Sequence, residues 1–305
     1  MMARYGLLVK VLNVCIRDYA GIGFRLHEAI NKFTEHESRQ LIMAKHKWGY
    51  PYDILTTNGD VIRKWIDWAD VVNCWGQTHP LRVAGKIPDK LIITHVGSYF
   101  RRNPEKRHKE AQELGAKELV CTPDLLIHPE FKWIPNAVPV DEWAKLKRGH
   151  SGKPIVCQSP SSLRMKNTQE IKRQIRRKKN IKLNIIRLVS WRECMKRKAA
   201  ADIYLGCFTC GYGMSSLEAW AMGIPVINYI ERPHRALFLR EIGYLPFYES
   251  PLEKLSEAID ALLDKQTYGK YAKLGYQYVK DFHDYPVIAE RFISYCEEGG
   301  LAPVP

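Results

Sequence analysis

Short apolar runs alternate with longer amphipathic stretches along the chain. Leu7–Val14, Gln40–Ala44, Asp70–Cys74, Lys90–His95 and Glu118–Cys121 are brief and rich in Val, Ile and Leu, as in strands covered on both faces. Between them, Phe24–Phe33, Val61–Trp68 and Pro104–Leu114 place apolar residues at helical spacing. Strands alternating with helices predict parallel βαβ units. Residues 145–153 (Lys-Leu-Lys-Arg-Gly-His-Ser-Gly-Lys) break the pattern and read as a linker. It then restarts with strands at Pro154–Gln158, Ile181–Arg187, Asp202–Gly206 and Ile224–Tyr229. The helices between are Thr168–Lys178, Arg192–Ala199 and Ser215–Met222. Three more helices follow, near Pro251–Leu263, Tyr268–Phe282 and Val287–Cys296. Two doubly wound domains are the expected architecture, with ligands at the carboxyl ends of the strands.

Ala201–Asn228 is the stretch richest in chemistry. It reads as strand, glycine turn (Gly211-Tyr212-Gly213), helix and second strand. Ser215 is the expected N-cap, Gly223 the C-cap, and Pro225 bars continuation. A glycine turn feeding a helix offers N–H groups and a positive dipole end to phosphate, here through Gly211, Gly213, Met214 and Ser215. Glu218, one turn on, puts a carboxylate behind that site for ribose hydroxyls; the plainer role is a charge favourable to the helix dipole.

Arg164 and Lys166 follow a strand and a Pro-Ser turn, where cations can reach a diphosphate or can be ordinary loop charges. His95 ends an apolar strand, and its alternatives are a cleft residue or a satisfied structural histidine. Gly21 and Gly23, after the first strand, form either a phosphate-or-substrate loop or a turn. Asn136 is a turn residue or a cleft contact.

These segments carry a resemblance. Gly211–Ile227 resembles the nucleotide-sugar signature of retaining GT-B glycosyltransferases, the group 1 family. Ile155–Thr168 resembles that family's strand and Pro-Ser…Arg…Lys-Gly-Thr loop, with Asn167 where glycine is usual. Trp133–Val138 is similar to its Ile-Pro-Asn-Gly-Val segment, Thr94–Ser98 to its His-Gly loop, and Gly21-Ile-Gly23 to its first glycine loop. The resemblance implies an α/β, GT-B architecture of two Rossmann-like domains facing a central cleft. Residues 1–147 would bind the acceptor and 148–284 the nucleotide-sugar, with a helix at about 285–299 packing back on the first domain. The implied reaction moves a sugar from a nucleoside-diphosphate donor to an acceptor hydroxyl with retention, by front-face attack within an ion pair. Lys166, Arg164 and His95 would be catalytic. Gly211, Gly213, Met214, Ser215, Glu218, Gly21, Gly23 and Gly97 would line the donor. One position departs: the family's glutamate eight residues before the ribose-binding one, which touches the transferred sugar, is Cys210 here.

Composition sharpens this. Hydrophobic content of 46% and charged content of 26% are globular values. No apolar run reaches membrane-spanning length, and Met1–Val14 lacks a signal-peptide pattern, so a cytoplasmic protein is expected. The net charge of +14, spread over both halves, implies an anionic partner. The expected partners are a nucleotide-sugar donor and a glycan, lipid-linked or other hydroxyl acceptor, with peripheral contact to an anionic membrane surface. Nucleic acid ranks behind these because no zinc finger or RNA-recognition signature occurs. Cys207-Phe-Thr-Cys210 is the only Cys-x-x-Cys and has no second ligand pair for zinc. No Asp-x-Asp occurs either, so neither metal nor cofactor is expected. A nucleotide-sugar epimerase on the same fold, a basic nucleic-acid-binding or -modifying protein and a non-catalytic relative are the alternatives.

Overall fold

The computed structural model describes residues 8–298. Leu7 of the first expected strand and position 299 of the last expected helix lie outside them. The chain divides into two compact units. One takes in the chain up to Cys121, Leu125–Ala137 and the chain from Tyr285 on; the other is Thr122–Asp124 with Val138–Asp284.

The first unit runs β1 (Lys10–Cys15), α1 (Ile22–Phe33), β2 (Glu37–Ile42), β3 (Ile54–Leu55), α2 (Gly59–Trp68), β4 (Val71–Trp75), α3 (His79–Ala84), β5 (Leu91–His95), α4 (Gly97–Arg101), α5 (Pro104–Glu113), β6 (Lys117–Val120) and β7 (Lys132–Trp133). Its parallel sheet has the order β3-β2-β1-β4-β5-β6-β7, so strand order reverses between β1 and β4. Leu12, Val14, Leu41, Val72 and Ile93 form the core with Ile62 and Ile66 of α2. Asn58 starts α2 by accepting from the Asp60 and Val61 amides. Across the middle of this apolar sheet runs a buried polar line. Thr94 donates to Asn73 at 2.7 Å, Asn73 to Asn13 at 3.0 Å, and Asn13 to Ser38 at 3.2 Å. Every member is paired, which removes the cost of burying amides.

The second unit runs α6 (Val140–Ala144), β8 (Ile155–Gln158), α7 (Thr168–Ile175), β9 (Lys182–Ile185), α8 (Trp191–Lys198), β10 (Ile203–Leu205), α9 (Met214–Ala221), β11 (Val226–Asn228), α10 (Arg232–Ile242), β12 (Tyr248–Glu249), α11 (Leu255–Leu263) and α12 (Lys265–His283). The sheet order is β12-β11-β10-β8-β9, all parallel, with the reversal between β8 and β10. Residues 145–153, which read as a linker, lie within this unit. The Arg148 amide donates to the Ala199 carbonyl, Lys147 Nζ to that of Ala201 at 2.6 Å, and His150 pairs with Asp202 at 2.7 Å. The last helix, α13 (Tyr285–Glu298), belongs to the first unit, where it packs on α1. Ile288, Ala289 and Phe292 are buried there, and Tyr285 OH donates to Glu28 at 2.8 Å.

α12 and α9 approach closely because position 275 is glycine. A Cβ there would sit 2.1 Å from Cδ1 of the fully buried Trp220. Gly275→Ala should therefore cost about 1–3 kcal/mol, read as a lower denaturation midpoint. Gly269→Ala on the same helix, where a Cβ meets nothing within 4 Å, should be neutral or stabilising. Equal effects from both would mean the contact with Trp220 does not set the helix spacing. Among the described residues, no helix is long and apolar enough to cross a membrane.

Candidate functional site

In an open parallel sheet, the loops on either side of the reversal splay apart at the strand ends and leave a crevice. In the second unit these are the loops after β8 and after β10. Gln158, wholly buried at the end of β8, holds its loop at both ends: its Nε2 donates to the Lys166 carbonyl at 2.8 Å and its Oε1 accepts from Thr168 Oγ1 at 2.8 Å. Asn167 has φ +52°, the left-handed region where glycine is the default and asparagine the common substitute. The departure from the family's glycine thus keeps the backbone shape. Arg164 is exposed on this loop and Lys166 half-buried.

The second loop leaves β10 at Gly206, where a Cβ would fall 2.0 Å from Asn228 Oδ1 and 2.5 Å from Ser216 Oγ. That same Asn228 oxygen accepts from the Cys207 amide at 2.8 Å. Cys207 and Cys210 face each other with sulfurs 3.0 Å apart. The Cys210 thiol, and then the Lys166 charge, pull the Cys207 thiol well below its usual range against the opposing effect of burial. Lys166 therefore brings its charge to the β10 loop although it stands on the β8 loop. Tyr212 anchors the glycine turn: it is buried, its hydroxyl accepts from Tyr278 OH at 2.9 Å, and it lies 3.3 Å from His283 Nε2.

α9 begins one residue earlier than the sequence suggests. Its N-cap is Gly213, in extended conformation, and Ser215 lies inside the first turn without capping it. An extended glycine lets the chain enter the helix without a side chain over its end. The amides of Met214 and Ser215 take no partner among the described residues, while those of Ser216 and Leu217 bond the Gly213 carbonyl. Gly223 (φ +66°) closes the helix, with the Gly223 and Ile224 amides on the carbonyls of Trp220 and Ala219.

Glu218 is 4% exposed and fully engaged. Lys198 Nζ bonds its Oε2, and Trp191 Nε1 donates to its Oε1 at 3.0 Å. Lys198, itself wholly buried, also donates to the Ser215 carbonyl at 3.2 Å and stands 4.7 Å from the Tyr204 ring centre. Burial works to strip the Lys198 proton, but the Glu218 carboxylate, together with Tyr204 and Cys194, outweighs it and raises the group above the lysine range. Tyr204 OH in turn meets Ser159 Oγ at 2.7 Å, which connects this pair to the β8 loop. Trp191 and Lys198 are seven residues apart on α8, two helical turns, so one face carries both partners of Glu218. The sequence reading passed over that spacing.

In the first unit the glycine loop is organised by an acid the sequence reading did not single out. Asp18, buried, accepts from the Gly23 amide at 3.1 Å, the Phe24 amide at 2.8 Å and Gln40 Nε2 at 2.9 Å. The start of α1 thus already holds a carboxylate where Gly21 and Gly23 suggested a phosphate loop. Gly23 is needed for packing: a Cβ would lie 3.0 Å from Trp75 Nε1. Burial, only partly offset by these hydrogen bonds, raises the Asp18 pKa from 3.8 to about 6. A carboxyl that binds its proton more tightly when folded adds stability below its unfolded pKa, and that stability is lost as pH rises through about 6. Relative to Asp18→Asn, the native chain should gain about 2–3 kcal/mol between pH 7.5 and pH 4. Urea midpoints of both proteins at each pH would test this, and a pH-independent difference would refute it.

His95, 1% exposed, faces Glu118 Oε1 through Nε2 at 2.6 Å and stacks on Phe100 with ring centres 4.2 Å apart. Its Nδ1 is buried without a hydrogen-bond partner among the described residues. It borders a cleft of about 500 Å³ at the ends of β4 and β5, lined also by Gly76, Thr78, Arg82, Tyr99 and Arg107. Gly97 opens α4 beside it, and Asn136 is buried.

No protein-family model and no curated protein matches the chain. Solved structures do. A glycosyltransferase from Rickettsia africae is 13% identical with a TM-score of 0.64, over 96% of this chain and 99% of that one. HepE of Anabaena, in complex with UDP-glucose, is 13% identical at TM-score 0.66, over 95% and 100%. An alpha-glucosyltransferase in complex with UDP and a 13-mer DNA containing an HMU base is 7% identical at TM-score 0.69, over 95% and 99%. The fold is that of GT-B glycosyltransferases, with two Rossmann-like units, as the sequence led us to expect.

Proposed function

We propose that the chain is a glycosyltransferase that takes a sugar from a nucleoside-diphosphate donor and transfers it, with retention and without a metal at the diphosphate, to an acceptor hydroxyl. The observation that carries this is the convergence at the β8/β10 reversal. The Lys166 loop follows β8, and α9, with its Met214 and Ser215 amides unpartnered among the described residues and Glu218 buried one turn on, follows the β10 loop. All therefore stand on the two segments that flank the reversal. The diphosphate would rest on the Met214 and Ser215 amides, with Gly211 and Gly213 admitting it closely and Arg164 and Lys166 balancing its charge. Glu218, oriented by Lys198 and Trp191, would accept the ribose hydroxyls. As the bond from sugar C1 to the diphosphate oxygen breaks, the charge growing on that oxygen is met by Lys166. The acceptor oxygen bonds to C1 and its proton passes to the leaving phosphate. Cys210 stands where a carboxylate would meet the transferred sugar, so a sulfur takes that contact here. The cleft in the first unit, with Arg82, Arg107 and His95, is the candidate acceptor region.

HepE is in complex with UDP-glucose, which makes uridine nucleotides the first to test. In a thermal-shift screen of UDP, GDP, ADP, TDP and their sugars, the true donor at a hundredfold excess over Kd adds about 2.7 kcal/mol. Glu218→Gln should weaken it about tenfold or more. No shift with any nucleotide would overturn the proposal. A polynucleotide acceptor is a second reading. It is favoured by the +14 charge and by the likeness to an enzyme in complex with DNA, and it predicts DNA binding that falls steeply with salt.

A further inference from the structure

The first unit gathers three histidines and three glutamates around α5 and the segment between β6 and β7. Glu118, buried on β6, bridges two rings, with Oε1 on His95 Nε2 and Oε2 on His108 Nδ1, each at 2.6 Å. A carboxylate on Nδ1 fixes the proton there and leaves the His108 Nε2 lone pair facing outward. What it faces is Glu130 Oε1, at 2.9 Å. An imidazole lone pair and a carboxylate oxygen that close repel unless something positive lies between them. His128 stacks on His108, ring centres 4.2 Å apart. Its Nε2 is shielded from solvent, has no hydrogen-bond partner among the described residues, and lies 3.5 Å from Glu105 Oε1. One donor atom from each of His108, His128 and Glu130 lies within 4.8 Å of the others. Phe131 packs edge-on against both rings from below, 5.3 Å and 4.9 Å between centres.

We propose that His108, His128 and Glu130 bind a divalent transition ion of the zinc type, with Glu105 or water as fourth ligand. Two imidazoles and a carboxylate favour such an ion over calcium or magnesium, which prefer all-oxygen sites. Glu118 acts as a positioning residue: it sets the His108 tautomer from behind, the usual arrangement for a metal-binding histidine. The ion would tie α5 to the loop after β6 and hold His95 through Glu118, at the edge of the cleft His95 borders. The competing occupant of the His108–Glu130 gap is a proton, which would make His108 an imidazolium between two carboxylates.

Calorimetric titration with Zn²⁺ at pH 7.5 separates the two. The full chain carrying Cys207→Ser and Cys210→Ser is used, so that the thiol pair contributes no zinc site. The expected result is one equivalent bound with proton release, weakened at least tenfold by Glu130→Gln and by His128→Gln, and about 10–100-fold by Glu118→Gln. Glu130 is half-exposed, so its substitution leaves the fold in place whatever becomes of the Glu118 variant. No zinc uptake at pH 7.5 or 8.5, or uptake unchanged by Glu130→Gln and His128→Gln, would overturn the site; the first result leaves the proton as the occupant.

Discussion

Lys198→Met should destabilise the second unit by about 3–5 kcal/mol, the largest loss expected from any single change near the candidate site. Methionine fills most of the space and keeps the apolar stem, so packing is roughly preserved. What disappears is the cation that neutralises Glu218, a carboxylate buried to 4% exposure whose other strong donor is Trp191. Breaking a buried pair from one side leaves a charge without compensation, which costs far more than the pair itself contributes. The double variant Lys198→Met/Glu218→Met should recover to within about 1–2 kcal/mol of the native chain, because removing both charges removes the desolvation penalty too. Urea denaturation of the native chain, both single variants and the double variant completes the cycle. The double variant is also informative for function, since it should be folded and fail to hold a nucleotide. A single Lys198 variant as stable as the native chain would mean Glu218 is solvated, contrary to its environment here.

Lys166→Ala should lower kcat by on the order of a hundredfold with little change in KM for the donor. The side chain is half-buried, and the backbone of its loop is held by Gln158 and the left-handed Asn167. Its removal takes the charge from a loop whose backbone those two residues hold. Charge at that point matters most when the leaving diphosphate gains electron density, so the loss belongs to the transition state. Lys166→Arg should retain much of the rate and Lys166→Gln should not. Steady-state kinetics on the three variants checks this; an equal rise in KM with kcat untouched would place Lys166 in ground-state binding instead.

Much of the architecture was legible because βαβ repetition writes itself in hydrophobic period. Each strand of four or more residues fell on a run read from the sequence. What escaped was short or polar. β3, β7 and β12 have two residues each and gain their identity only from a neighbour's ladder. α10 exposes most of its length, burying only Phe238 and Ile242, and so carries too thin an apolar stripe to be read. The candidate site was half legible. Glycines, loop cations and Glu218 stand in one local segment or another, and pattern reveals them. Their supports do not: Lys198 and Asn228 act on residues about twenty positions away, and Gln158 closes its own loop from the end of a strand. Asp18 is the clearest lesson, since Gly21 and Gly23 looked like a loop awaiting an anion while the chain supplies its own carboxylate five residues before Gly23.

The return of α13 to the first unit has a consequence for the order in which the protein can be made. Most of that unit leaves the ribosome within the first 137 residues, yet the face of α1 on which α13 packs waits until the whole second unit has emerged. Domains tend to fold as they are synthesised, and transiently bare apolar surface invites aggregation. A nascent first unit therefore spends the synthesis of nearly 150 residues with one flank uncovered. That interval is when a chaperone would find it, and a chain cut off before Tyr285 should be recovered mainly as inclusion bodies.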